Sequence, residues 1–253
     1  MEALRRGETV RIRGDVGDRL GSSLGVDLAK LGGKGGPVEE TGTIIVDGDV
    51  GPRMGISMIR GSIYVSGSIG EPTGNVLEVE SDLTGYRRYV STTEVMERGG
   101  RVLPPNRLDG ERLVIKDGLL RETLAARNRS DRRLRVEGDA GMSAGILMRS
   151  GLLEILGDAG RNTGVLMRGG QIVVSGSCDD FTATEMRGGE IFVAGDAGGY
   201  LGARMRGGAV YAPRGKPIPP AKAQPLKGDE GRLVSRVLRV SSFQAMIYKR
   251  FGL

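Results

Sequence analysis

The stretch GDAGRNTGVLMRGGQIVVSG, Gly157 to Gly176, decides the fold because near copies flank it. GDAGMSAGILMRSGLLEILG precedes it from Gly138, GSCDDFTATEMRGGEIFVAG follows from Gly176, and GDAGGYLGARMRGGAVYAPRG from Gly195. In register these four give an unbroken period of 19 residues with the frame G-D-x-G-x-x-x-G-x-x-M-R-G-G-x-I-x-V-x. Asp139, Asp158 and Asp196 take the second place, Gly141, Gly160 and Gly198 the fourth, and Gly145, Gly164 and Gly202 the eighth. The pairs Met148/Arg149, Met167/Arg168, Met186/Arg187 and Met205/Arg206 recur behind them. A fixed period of this size is the sequence signature of a solenoid.

The frame also occurs earlier. Gly48 begins a copy with Asp49, Gly51, Gly55 and Met58; Gly67 continues it with Gly70 and Gly74; Gly14 opens a partial one with Gly17 and Gly21. That makes about seven coils in two blocks. The end of each unit (SIYVS, QIVVS, EIFVA, AVYAP) is rich in β-branched and aromatic residues between glycines, which reads as a short strand. GILM and GVLM read as a second apolar run, giving two or three short strands per coil. No helix of ten residues fits between successive glycines. The expectation is an all-β, single-stranded right-handed parallel β-helix with 19-residue coils, neighbouring coils lying roughly 4.8 Å apart.

This reading gives the glycines a structural task. A short coil must turn sharply several times, and glycine enters left-handed or crowded backbone conformations without a Cβ penalty. Gly138, Gly141, Gly145, Gly157, Gly160, Gly164, Gly195, Gly198 and Gly202 are therefore turn residues rather than a phosphate cradle. The aspartates can bond nearby turn backbone, and the methionines fill the interior.

The β-helix is expected over residues 1–213, interrupted at about 76–137. That interruption carries Pro104 and Pro105, a short helix at TTEVMER, and strand, turn and strand around Asp117-Gly118 in RLVIKDGLL. Residues 214–253 read as a proline-rich linker and a C-terminal capping tail, since a solenoid end needs its open sheet edge covered.

Composition narrows the chemistry. The chain has 253 residues, 44 of them glycine, no tryptophan, no histidine and one cysteine, so neither a disulfide within it nor a Cys/His metal set can form. Its formal charge is +6, and arginine supplies 30 of the 37 basic residues. Arginine's planar fork suits carboxylates and protein interfaces, whereas the 4% of aromatic residues offers little for stacking bases. An acidic partner subunit is favoured over nucleic acid. No run approaches the roughly 20 apolar residues of a membrane helix, and MEALRRGETV lacks the apolar run of a signal peptide. A cytoplasmic location is the expectation.

Two G-x-S-x-G matches, centred on Ser23 and Ser143, could mark a serine hydrolase. They fall at different places in the frame, no helix follows either, and a Ser-His-Asp triad needs a histidine. Cys178 sits in the most divergent unit, GSCDDFTAT, and reads as a small buried thiol. The arginine column is the sharpest remaining feature. Arg149, Arg168, Arg187 and Arg206 should stack one above another, either as an ion-pair ladder with Asp139, Asp158 and Asp196 or as a surface that docks a partner.

The frame GDAGxxxGxxMRGGxIxVxG resembles the GXGXG-motif family. That family includes the C-terminal β-helix domain of the glutamate synthase large subunit and the C-type subunit of formylmethanofuran dehydrogenase. The match covers Gly14 to about Gly74 and Gly138 to Pro213, and AARNRSDRRLRVEGDAG around Asn128 looks like the lead-in of the glutamate synthases. The resemblance implies a structural subunit of an oxidoreductase complex without catalytic residues, cofactor or metal on this chain. Partner subunits would carry molybdopterin or tungsten, flavin or iron–sulfur. A role like that of the formylmethanofuran dehydrogenase subunit is the first expectation and a split glutamate synthase domain the second; a homo-oligomer stays open. The insertion and the basic tail depart from both relatives.

Overall fold

One strand per coil carries the repeat, and each is built the same way. In the computed structural model, which describes residues 2–28 and 32–253, the chain forms two compact units, Met1–Ala126 and Arg127–Leu253.

In the first unit a helical turn, α1 (Glu2–Arg5), precedes β1 (Val10–Arg13), β2 (Thr43–Asp47) and β3 (Ser62–Val65). These three are parallel and in register, Val10 opposite Ile44 and Thr43 opposite Ser62. Val16, Val50 and Ile69 form a second line of parallel bridges. Met54, Met58, Ile44, Val46, Ile63 and Val65 fill the core between them. β4 (Val76–Val79) and β5 (Arg87–Ser91) then leave the parallel pattern, β5 running antiparallel to both β3 and β4. Helix α2 (Thr92–Arg98) follows at TTEVMER, its first turn capped by Ser91 Oγ accepting from the Glu94 amide.

The hairpin expected around Asp117-Gly118 lies elsewhere than the sequence suggests. It joins β6 (Arg107–Asp109) to β7 (Arg112–Ile115) across Gly110, and no strand follows Asp117-Gly118. Asp117 instead accepts from Arg121 Nη1 at 2.7 Å and Asn106 Nδ2 at 2.6 Å. Burial opposes its charge, but these donors and the Arg121 charge hold the carboxyl below its ordinary range. An Asp-Gly pair usually signals a hairpin turn; here the aspartate is spent on a buried arginine.

The second unit stacks β8 (Arg133–Val136), β9 (Leu152–Ile155), β10 (Gln171–Val174), β11 (Arg187–Val193) and β12 (Gly207–Ala212), all parallel. Leu152, Gln171 and Glu190 stand in one line, 19 residues apart. In β9 and β10 alternate residues are buried, so Leu153 and Ile155, then Ile172 and Val174, point inward as a two-residue period requires. Met148, Met167, Met186 and Met205 complete the interior, each at most 1% exposed.

GILM and GVLM are not strands. Ser143, Gly145 and Leu147, and again Asn162, Gly164 and Leu166, alternate into positive φ along a turn. A left-handed leucine costs roughly 1–2 kcal/mol, and hydrogen bonding between coils offsets it. The Ser143, Leu147, Asn162 and Leu166 amides donate forward to the next coil, while those of Gly164 and Arg168 donate back. The same alternation appears at Thr123, Ala125 and Arg127, where no glycine frame announces it. Gly157 has another task, for a Cβ there would lie 2.0 Å from Asp139 Oδ1.

The stretch after Pro213 continues against the coil before it. Arg214, Pro217 and Pro220 form bridges with Asp196, Leu201 and Ala203 and so lie along the preceding coil. β13 (Lys222–Pro225), α3 (Glu230–Leu238), α4 (Ser242–Ala245) and β14 (Lys249–Gly252) follow. β14 runs antiparallel between β12 and β13, and Val234, Ala245 and Tyr248 pack with Phe192 and Tyr211.

Candidate functional site

The arginine column is in place and in register. The Arg168, Arg187 and Arg206 amides donate to the carbonyls of Met148, Met167 and Met186 at 2.8, 2.8 and 2.7 Å, so each arginine sits over the one before. All four side chains are exposed, and among the described residues none makes an ion pair or a side-chain hydrogen bond.

The aspartates do not neutralise the column. Asp139 Oδ1 accepts from the Asp158 amide at 2.7 Å, and Asp158 Oδ1 from the Ser177 amide at 2.7 Å. Ser177 Oγ serves the Asp196 amide at 3.1 Å in the same way. The second place of the frame is thus a ladder of side-chain acceptors for the next coil's backbone. Asp196 then turns to Gly198 N and approaches Arg214 Nε at 3.7 Å, outside the column.

The column extends one step further than the repeat frame indicates. The Arg149 amide donates to Asn128 O at 2.8 Å, the bond that Met148 provides one coil later. Asn128 stands in the methionine's place and exposed Arg129 in the arginine's. Asn128 is fully buried because its Nδ2 is satisfied by the Ser130 and Ser150 carbonyls, both at 2.8 Å. The spacing from Arg129 to Arg149 is 20 rather than 19, and the glycines are missing, which hid the match. The charges act on one another. Burial, then Arg129 and Arg168, lower Arg149, and burial, then Arg149, Arg168 and Arg129, lower Arg127. Arginine nonetheless stays protonated in proteins, so the column is a standing positive stripe.

Ser23 and Ser143 do not form elbows. Both have left-handed φ inside coil turns, at 56° and 61°, and among the described residues neither hydroxyl bonds a titratable side chain. Cys178 is 5% exposed, and burial pushes its thiol up to about 12. Among the described residues no three His, Cys, Asp or Glu side chains are grouped to hold a metal ion. None of the helices described is long and apolar enough to cross a membrane.

Fold and surface together define the class: a parallel β-solenoid presenting a stripe of exposed arginines. No family model matches the chain. An uncharacterized protein of Methanothermobacter thermautotrophicus is 52% identical over the whole of this chain and 81% of its own length, and the chain belongs to the same family as that protein. A chain in the crystal structure of the formyltransferase/hydrolase complex (FhcABCD) from Methylorubrum extorquens, in complex with methylofuran, is 25% identical. That match covers 94% of this chain and 69% of the other with a TM-score of 0.40. So loose a superposition adds nothing to the fold, which stands on the strand pairing above.

Proposed function

We propose that this chain is a non-catalytic scaffold subunit of a multisubunit oxidoreductase, of the kind of the C-type subunit of formylmethanofuran dehydrogenase, and that the arginine column is where it docks an acidic partner. The observation that carries this is the column itself: Arg149, Arg168, Arg187 and Arg206 are exposed, stacked and without a carboxylate among the described residues. Like charges held a coil apart repel, so a partner's carboxylates remove an existing cost as well as adding forked hydrogen bonds. The repeat frame, Gly138 to Pro213, supports the kind of complex through its resemblance to that dehydrogenase's β-helical subunit. Redox cofactors belong, in this reading, to the partners.

Affinity purification of the tagged chain from its native cell tests the proposal. Recovery of molybdopterin- or tungsten-containing subunits is expected, with their loss on the double change Arg168→Glu and Arg187→Glu. A glutaminase or flavin-binding synthase chain in their place would instead identify a split glutamate synthase. Recovery of the chain alone would sink both readings.

A further inference from the structure

Two grooves in the first unit share a wall of Arg88, Val90, Glu94 and Arg98. One, of about 390 Å³, runs on over Thr41 and Arg60; the other, of about 470 Å³, over Asp82 and Arg101. Three buried polar atoms beside the first groove have no hydrogen-bond partner among the described residues: Thr41 Oγ1, Arg60 Nε and Glu94 Oε2. Such atoms are rare, because each has given up water without a replacement. That three unlinked ones border a single groove is the signal.

The surrounding groups are fixed. Arg60 is only 7% exposed; Glu97 and the Ile59 carbonyl hold its two terminal nitrogens, leaving Nε as the unused donor of the fork. Arg98 reaches Glu94 Oε1 at 3.5 Å, while Oε2 is buried without a partner among the described residues. Arg88 is steadied by Ser62 Oγ at 3.1 Å and Asp82 at 3.7 Å. Burial pushes the Glu94 carboxyl up, while Arg60, Arg98, the Gly61 amide and Arg88 pull against it.

The groove's lining carries both signs, Glu39, Glu40 and Glu94 beside Arg60, Arg88 and Arg98, with Arg60 and Arg88 also paired to Glu97 and Asp82. A simple anion would meet three carboxylates and a simple cation three guanidinium groups. A small molecule with both signs a few bonds apart suits both sets. We propose that this groove binds an α-amino acid, its ammonium group held by the Glu94 carboxylate and its carboxylate by the exposed Arg98, with Arg60 behind them. Thr41 Oγ1 is placed to complete the ammonium's or the carboxylate's hydrogen bonds. The site is independent of the arginine column, whose residues all belong to the second unit.

Ligand-observed NMR on the purified full-length protein, with each standard L-amino acid in turn, tests this. At least one should bind at millimolar affinity or tighter, and its deaminated and decarboxylated analogues should not. Glu94→Gln should weaken binding at least tenfold at an unchanged melting temperature. If that variant melts early, Arg98→Ala, at an exposed residue, carries the same test. Arg168→Gln should leave the affinity as it is. No binding by any amino acid, or equal binding by the deaminated acid, would overturn the assignment.

Discussion

Gly164 and Ala183 hold the same place in successive coils, and what separates them lies one coil further on. A Cβ on Gly164 would sit 2.3 Å from Ile191 Cδ1, and one on Gly145 the same distance from Ile172 Cδ1. Val210 continues that line beyond Ile191 and has no Cδ1. An alanine at 183, with φ of 60°, is therefore accommodated where a glycine is otherwise needed. Gly164→Ala should destabilise the fold by about 1–3 kcal/mol through overpacking. Adding Ile191→Val should recover most of that loss, although Ile191→Val alone costs about 0.5–1.5 kcal/mol. Urea unfolding of the three variants measures the coupling, and strict additivity would refute it. The recurrence of the glycines is visible in the sequence, and Gly145, Gly164, Gly198 and Gly202 take positive φ; the left-handed leucines at 147 and 166 were not legible, since their strain is offset by bonds to residues a full coil away. Cys178 was legible as a small buried thiol. Burial pushes its thiol up to about 12, so it stays in the unreactive thiol form at pH 8. A thiol reagent should leave the native protein unlabelled over hours and label it promptly in guanidinium chloride.

At the scale of elements, strands with alternating β-branched residues could be read directly, because a buried face imposes a period of two. The final elements could not, because what makes them a unit is pairing at long range. β14 contributes three residues to each neighbour ladder or more, and Phe251 within it is 1% exposed. Phe243, in the short helix α4, is 82% exposed. Two phenylalanines eight residues apart thus carry opposite weights. Phe251→Ala should cost about 3–5 kcal/mol and, by loosening the strand over the edge of β12, promote aggregation. Phe243→Ser should stay within about 0.5 kcal/mol of the parent. Thermal melts with light scattering would show both effects, and equal losses would mean that the tail is not packed as described.

Over the whole molecule, charge was easy to count and hard to place. The excess of arginine is visible in the composition, and the column in the period. That the aspartates serve backbone amides became visible only when each Oδ1 found its donor in the next coil. An uncompensated stripe has a consequence for the isolated protein. Salt should stabilise it, because the Debye length falls from about 30 Å at 0.01 M to about 8 Å at 0.15 M and screens the repulsion between coils. The melting temperature should rise by a few degrees over that range. In the triple variant Arg149→Gln, Arg168→Gln, Arg187→Gln it should begin higher and rise less. Net charge alone would also respond to salt, so a second triple is needed: Arg13→Gln, Arg112→Gln, Arg236→Gln removes the same charge from positions outside the column. If the stripe is the source, only the first triple flattens the salt dependence; equal flattening by both would assign the effect to the overall charge of +6.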